Sequence, residues 1–355
     1  MRAKLHILLI NNGYPSYTQP YYTTYIKSIQ ECLEEAGFRV SLLVMDTNFK
    51  SKISKAKCYA KYYIELLKGF KKIKKFDFVY INNLPYSILP MIAYIRKIPN
   101  LIIHWHGDDI FPEKVHGRIL NFISYSLVPK NCIHIVPSEY FAKVLIGKLK
   151  IEKDRIFILP SGGVDTEIFR PLRKNKKICN QAYHIGFASN VWKRKGFDYF
   201  YNLIKDASYL EQQLGAPVFF HYINYGIEKD YYYNLLKNNK KVIIHKPYPK
   251  KMMYKFYNKL SVLVFSSRLS ESLGLVALEA MACGVPVVGF DRPPMNEYIL
   301  AGVTGELAKD GDYFSLREKT IKVLGDINIY SPRSLIIKKY SKEFVIQQYK
   351  KIFIY

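Results

Sequence analysis

The stretch from Leu260 to Phe290 constrains the fold more than any other part of the chain. An apolar run over residues 260–265 predicts a buried strand, residues 266–272 a polar loop, and residues 273–283 a helix. Gly284 and Pro286 end that helix, and the apolar residues up to Phe290 predict a second buried strand. A strand, a helix and a strand in this order form the βαβ unit of a parallel sheet.

Strands and helices alternate in the same way through the rest of the chain, which at 355 residues is long enough for two domains. The polar segment Arg173–Asn180 is interpreted as an interdomain linker. We therefore predict the α/β class, with two Rossmann-like, doubly wound domains facing across a cleft. The predicted domains are residues 1–172 and 173–337, and a terminal helix at about 338–355 is expected to pack back on the first domain.

The charge points to partners rather than to the fold, because 54 basic residues stand against 29 acidic ones, a net +25. Ten lysines and one acid, Glu65, lie between Lys50 and Lys75, where apolar residues recur at helical spacing. This basic amphipathic helix fits either a solvated helix face or an anionic membrane surface. Nucleic acid is not expected as a partner, because the chain has no RNP-type, helix-turn-helix or zinc-knuckle motif.

Several features bear on the compartment. No apolar run approaches the length of a membrane span, and the apolar start of the chain is better interpreted as a first core strand than as a signal peptide. The five cysteines are scattered and lack CxxC spacing, so neither a disulfide framework nor a zinc site is predicted. We expect a cytoplasmic protein, with a peripheral position on the inner face of the cytoplasmic membrane if the basic helix docks there.

Two acids mark the predicted βαβ unit as more than a structural element. Glu271 lies in the loop before the helix, and Glu279 lies eight residues further on, roughly 12 Å away along a helix. The free N–H groups of a helix beginning near Leu273 favour an anion such as a diphosphate, and a carboxylate at the far end can bind a ribose diol. Alternatively, Glu271 caps the helix and Glu279 faces solvent.

Other loops carry candidate ligand-binding residues. The cations Lys193, Arg194 and Lys195 precede a predicted helix, where they suit phosphate better than the helix dipole, although a solvated charge run remains an alternative. In the first half, Gly13 and His106 follow predicted strands, at the edge where open α/β sheets bind ligands. Each of these two residues could equally have only a structural role in its turn.

Taken together, these segments resemble glycosyltransferase family 4. The run from Phe265 to Val288 is similar to the family's E-x7-E signature, with Glu271 and Glu279 as its two acids. Residues 160–165 resemble its P-N-G-V-D stretch, residues 106–109 its H-G-x-D turn, Lys195 with Gly196 its K-G element, and residues 296–305 its E…G-x-T-G close. The resemblance implies the GT-B fold and retaining transfer from a nucleotide sugar.

The resemblance also implies roles for individual residues. Glu279 would bind the ribose of the donor, Glu271 its sugar, and Lys195 the leaving diphosphate, while His106 would reach the sugar or the acceptor from the other domain. Where the family has Gly-Arg-Leu, this chain has Gly186, Phe187 and Ala188, so either Lys193 or Arg194 would replace the phosphate-binding arginine, or the loop is rearranged. The implied catalytic residues are Glu271, His106 and Lys195, and the implied donor-binding residues are Gly13, Lys193, Arg194, Lys195, Glu271, Ser272, Leu273, Gly274, Leu275 and Glu279.

The expected function is therefore metal-independent, retaining transfer of a sugar from a UDP- or GDP-linked donor to a hydroxyl of a glycan acceptor. No cofactor is expected. The acceptor is expected to be lipid-linked, in the synthesis of a bacterial surface polysaccharide such as O-antigen or capsule. Two alternatives stay open on the sequence: a sugar-nucleotide epimerase on the same fold, and a non-catalytic polyanion or nucleic-acid binder. A phosphorylase is not expected, because it would need a far longer chain.

Overall fold

The computed structural model describes residues 4–19, 22–112, 114–172 and 182–353, with the backbone alone for residues 70–72. The chain divides into two compact units: residues 1–163 with 342–355, and residues 164–341. The proposed linker Arg173–Asn180 lies outside the described residues. The domain bounds that the sequence predicts, at residues 172 and 337, differ from the bounds of these two compact units and stay a prediction.

The first unit is a parallel sheet covered by helices on both faces. Its strands lie in the order β2-β1-β3-β4-β5-β6. Their near-continuous apolar runs, buried on both faces, are typical of parallel sheets. The elements are β1 His6–Asn11, α1 Thr24–Glu35, β2 Arg39–Val44, α2 Lys52–Ile73, β3 Phe78–Asn82, α3 Ile88–Met91, β4 Leu101–His104, α4 Val115–Leu127, β5 Ile133–Val136, α5 Glu139–Leu149 and β6 Ile156–Ile158.

The second unit is another parallel sheet of six strands, in the order β12-β11-β10-β7-β8-β9. Its elements are β7 Tyr183–Phe187, α6 Phe197–Lys205, α7 Ala207–Leu214, β8 Val218–Ile223, α8 Lys229–Leu236, β9 Val242–His245, α9 Tyr254–Tyr257, β10 Val262–Phe265, α10 Leu275–Ala282, β11 Val287–Phe290, β12 Gly305–Ala308, α11 Tyr313–Gly325 and α12 Pro332–Lys339. The chain ends with α13, Lys342–Ile352, which belongs to the first unit. The predicted α/β class with two Rossmann-like domains is confirmed.

The core of the first unit has two parts, one on each face of its sheet. Buried residues of α2, α3 and α5 share one cluster, against which α4 also packs. Helices α1 and α13 supply the other cluster, where Tyr349 is fully buried. None of the helices in the described part of the chain is long and apolar enough to cross a membrane.

The sequence analysis missed four elements: α4, α7, β12 and α12. Helix α4 lacks a single apolar stripe, because Leu120, Ile123 and Leu127 pack on the core while Val115, Ile119 and Phe122 are exposed. Strand β12 is only four residues long. Short elements of this kind depend on the neighbouring strand more than on their own sequence.

Candidate functional site

The predicted donor-side residues of the second unit lie at the carboxyl edge of its sheet. The Lys193–Lys195 turn follows β7, and the loop with Glu271 follows β10. Strands β7 and β10 are neighbours, although far apart along the chain. The parallel sheet therefore brings the two loops together, because the carboxyl ends of parallel strands meet at one edge.

Lys195 and Glu271 form an ion pair at this edge. Lys195 Nζ lies 2.7 Å from Glu271 Oε1, and the side chains are 22% and 14% exposed. The Ser267 hydroxyl donates to the same carboxylate oxygen at 2.6 Å. The alternative interpretation, in which Glu271 caps the helix, is therefore wrong. The pair is partly open to solvent, so a ligand can reach both charges.

The helix that follows begins two residues later than predicted. Its first residue is Leu275, and Gly274 is the N-cap with φ at 81°. A Cβ on Gly274 would lie 2.6 Å from Tyr298 Oη and 2.8 Å from Cε1 of Phe265, so only glycine fits. The loop residues Ser272 and Leu273 lead directly into this helix start, whose first N–H groups have no partner within the helix.

Glu279 is buried, which contradicts the expectation that it could simply face solvent. Only 8% of it is exposed, and Tyr257 Oη donates to its Oε2 at 2.9 Å. Burial raises the pKa of Glu279, and the positive charge of Lys250 opposes that shift. A buried carboxylate with one hydrogen bond keeps further acceptor positions for ligand hydroxyls.

The neighbouring cations have different surroundings. The Arg194 guanidinium lies over the Trp192 ring, 4.9 Å from its centroid, and the Lys193 N–H donates to Glu228 at 2.8 Å. Arg268, which the sequence analysis did not single out, donates to the Lys193 carbonyl at 2.7 Å and so supports the turn. The assignment of the phosphate-binding role to Lys193 or Arg194 stays a prediction.

Two further residues of this edge were also missed. Tyr298 Oη is buried and has no hydrogen-bond partner among the described residues, so it can donate to a ligand. Arg292 Nη1 donates to the Ser267 carbonyl at 3.2 Å, which places another cation beside the Glu271 loop. No local sequence signal marks either residue, because their positions depend on the packing of β11 and the turn after it.

His106 lies in the first unit, just after β4. Its Nε2 lies 3.0 Å from Asn82 Oδ1, and its ring stacks on His104 at 4.2 Å between centroids. An amide oxygen only accepts, so Nε2 carries the proton and Nδ1 is left as an acceptor. Burial lowers the pKa of His106 to about 3, so the ring is neutral near pH 7.

The surroundings of His106 contain unused polar groups. Asn82 Nδ2 and His104 Nε2 are buried without a hydrogen-bond partner among the described residues. The Asp109 carboxylate accepts from the His106 N–H at 2.7 and 2.8 Å, and burial raises the Asp109 pKa to about 8. Unsatisfied polar groups at the carboxyl edge of a sheet are suited to binding hydroxyls.

Gly13 follows β1 at the same edge of the first unit. A Cβ there would lie 2.4 Å from Cε1 of Tyr22, so a ring of this unit already occupies the space beside the glycine. The Gly13 carbonyl accepts from Asn11 Nδ2 at 2.6 Å. The proposed role of Gly13 in giving room to a donor stays a prediction.

Comparison with known proteins finds a family model that matches the second unit. Residues 169–343 match the family described as Glycosyl transferases group 1, and this segment includes Lys195, Glu271 and Glu279. An uncharacterized glycosyltransferase of Methanocaldococcus jannaschii is 27% identical over 70% of this chain and 65% of its own length. The capsular polysaccharide biosynthesis glycosyltransferase CapM of Staphylococcus aureus is 25% identical over 62% of this chain and 60% of its own. The chain therefore matches less than two thirds of either relative.

Solved structures resemble the whole chain. Sucrose-phosphate synthase of Thermosynechococcus elongatus has a TM-score of 0.74 and 16% identity over 99% of this chain and 98% of its own. Anabaena HepE, in complex with UDP and glucose, has a TM-score of 0.65 and 17% identity over 98% of both chains. At these identities the likeness concerns the fold. The group 1 domain and these structural neighbours together support a GT-B glycosyltransferase.

Proposed function

We propose that this protein transfers a sugar from a nucleoside-diphosphate sugar to a hydroxyl of a glycan acceptor, with retention of the anomeric configuration and without a metal ion. The observation that carries the proposal is the ion pair of Lys195 and Glu271 beside the start of α10. A cation, a helix N-terminus and a carboxylate lie within one loop cluster. These groups suit a diphosphate and the hydroxyls of its sugar.

The donor is proposed to lie along α10. Its diphosphate would contact the N–H groups of Gly274 and Leu275 together with Lys195, and its ribose would bind Glu279. Glu279 lies four residues after Leu275, roughly 6 Å along the helix, so the ribose would lie next to the diphosphate. Because HepE was crystallised with UDP, we favour a UDP-sugar over a GDP-sugar.

In the proposed reaction the bond between the anomeric carbon and the diphosphate oxygen breaks as charge builds on the leaving group. Lys195 and the helix N–H groups stabilise that charge. The acceptor hydroxyl forms the new bond from the same face and passes its proton to a donor phosphate oxygen. The nucleoside diphosphate then leaves. Glu271 would orient the sugar hydroxyls, and His106 Nδ1 would accept a hydrogen bond from the sugar or the acceptor.

The acceptor is proposed to be lipid-linked and to belong to a surface polysaccharide. The relative CapM is named for capsular polysaccharide biosynthesis, which supports a glycan acceptor of this class. The cytoplasmic face of the membrane would be the place of reaction.

A thermal-shift screen with UDP-, GDP- and ADP-sugars tests donor binding, because a ligand that binds the native state raises the melting temperature. We expect a shift with a UDP-sugar. The positive donor is then incubated with and without lipid-linked oligosaccharides. Release of nucleoside diphosphate only with an acceptor, an unchanged rate in EDTA, and an NMR spectrum with the donor's anomeric configuration would support the proposal. Epimerised donor without release, or an inverted product, would contradict it.

A further inference from the structure

Helix α4 has apolar residues on two sides: Leu120, Ile123 and Leu127 pack on the core cluster, and a second apolar stripe faces solvent. Val115, Ile119 and Phe122 lie one turn apart and are 72%, 57% and 74% exposed. The buried positions are Gly117, Asn121 and Ser124. An ordinary surface helix has one apolar stripe, which faces the core, so the second and exposed stripe of α4 is unusual. Three large apolar side chains in one stripe indicate a partner surface.

Helix α2 adds cations and further apolar residues on the same side of the sheet. Helices α2 and α4 both pack on the same core cluster, and α3 lies in contact with each of them. The exposed residues of these helices include Ile53, Lys57, Lys61, Ile64, Leu67 and Lys68 on α2, Leu89 on α3, Ile92 just after α3, and Arg118 on α4. We call this set, with the α4 stripe, the basic apolar face.

We propose that the basic apolar face docks on an anionic lipid bilayer. Phe122, Ile119 and Val115 would enter the boundary between headgroups and acyl chains, and the lysines of α2 would contact lipid phosphates. Both parts of the surface match a bilayer of this composition: apolar side chains need a hydrocarbon region, and cations at its border need negative headgroups.

Other partners fit this face less well. A second copy of the chain would bring the same lysines against each other, which repels. A nucleic acid would use the cations but leave Val115, Ile119 and Phe122 without a role, because phosphate contacts are electrostatic. The bilayer is the occupant that uses both kinds of side chain.

Docking on a bilayer would hold the enzyme where a lipid-linked acceptor lies. The biological use of this docking therefore rests on the proposed function. Helix α4 follows the loop of His106 by a few residues. A bilayer against α4 would therefore lie near the residue proposed to meet the sugar or the acceptor.

The test is co-sedimentation of the full chain with vesicles of phosphatidylcholine, alone or mixed with phosphatidylglycerol. We expect binding to the mixed vesicles only, and weaker binding in high salt. Replacing Lys57 and Lys61 with glutamine should weaken binding roughly 25-fold, since each surface lysine is worth about fivefold. Phe122→Ser with Ile119→Ser should weaken it at least about tenfold. These exposed substitutions should leave the melting temperature unchanged.

The matched control is Phe314→Ser on α11, because Phe314 is also exposed, at 66%, but belongs to the second unit. Its vesicle binding should equal that of the parent. Binding to neither vesicle, equal binding to both, or equal loss in the control would overturn docking, as would a concentration-dependent dimer abolished by Phe122→Ser. The thermal shift with UDP is measured on the same variants. If UDP binding fails while vesicle binding follows expectation, the proposed function falls and the docking surface stands.

Discussion

Replacing Lys195 with alanine removes the cation from the proposed phosphate site and leaves the Glu271 carboxylate with its Ser267 hydrogen bond alone. At 2.7 Å and an effective dielectric constant of about 20, the gross attraction of the pair is roughly 6 kcal/mol. Desolvation of two partly buried groups offsets most of it, so we expect Lys195→Ala to lower the free energy of unfolding by about 1–3 kcal/mol. For a unit of this size, that lowers the melting temperature by about 2–10 °C.

The catalytic effect should be larger than the effect on stability. Losing one preorganised group that stabilises developing charge costs about 10²–10³ in kcat, or roughly 3–4 kcal/mol. The assay measures transfer from the donor found by thermal shift, together with the melting temperature of each variant. Lys205→Ala serves as the control, because Lys205 is an exposed lysine of the same unit, close to the Tyr201 ring. We expect it to keep parental kcat.

A double-mutant cycle separates the two roles of the pair. The stability losses of Lys195→Ala and Glu271→Ala should not add, since either change alone breaks the same ion pair. The double variant should lose more transfer activity than either single variant, because the two side chains are proposed to bind different parts of the donor. If Lys195→Ala loses stability as expected but keeps transfer within tenfold of the parent, the pair is structural and the phosphate role is refuted.

Three further changes test other parts of the two units. Glu279→Gln should weaken UDP binding about tenfold or more in calorimetric titration, because a charged hydrogen-bond acceptor is lost; unchanged affinity would exclude the ribose role. Gly196→Ala should destabilise the protein severely, since its Cβ would meet the Ser266 carbonyl at φ 82°, and a parental melting temperature would contradict this. The pKa of buried His106 falls from 6.5 to about 3, so stability should fall as pH drops from 6.5 toward 3. His106→Gln should flatten this decline in urea titrations, and an unchanged decline would show that another group causes it.

Much of the fold could be predicted because it depends on local patterns. Apolar runs of four to six residues bounded by turn residues indicate buried parallel strands wherever they occur. The strand expected over residues 260–265 is β10, Val262–Phe265. The same patterns failed for α4, since its apolar residues are divided between the core and solvent, and tertiary surroundings decide which of them are buried.

The candidate site divides in the same way. Glu271 and Glu279 could be singled out because one lies in the loop just before a short helix and the other on that helix, so both belong to one local segment. Tyr257, which donates to Glu279, and Tyr298, beside Gly274, could not, because Tyr257 comes from α9 and Tyr298 from the turn after β11. Contacts of this kind depend on the order of strands in the sheet, which no local pattern encodes.

The amino-acid sequence alone is sufficient for the α/β class and for an acidic loop before a short helix, since backbone preference and apolar periodicity are local properties. Only the tertiary structure decided that Lys195 meets Glu271 across 76 residues of chain, that Glu279 is buried, and that Val115, Ile119 and Phe122 of α4 face solvent. The physical reason is that β7 and β10 become neighbours only when the whole sheet forms, and the environment of each side chain follows from that packing.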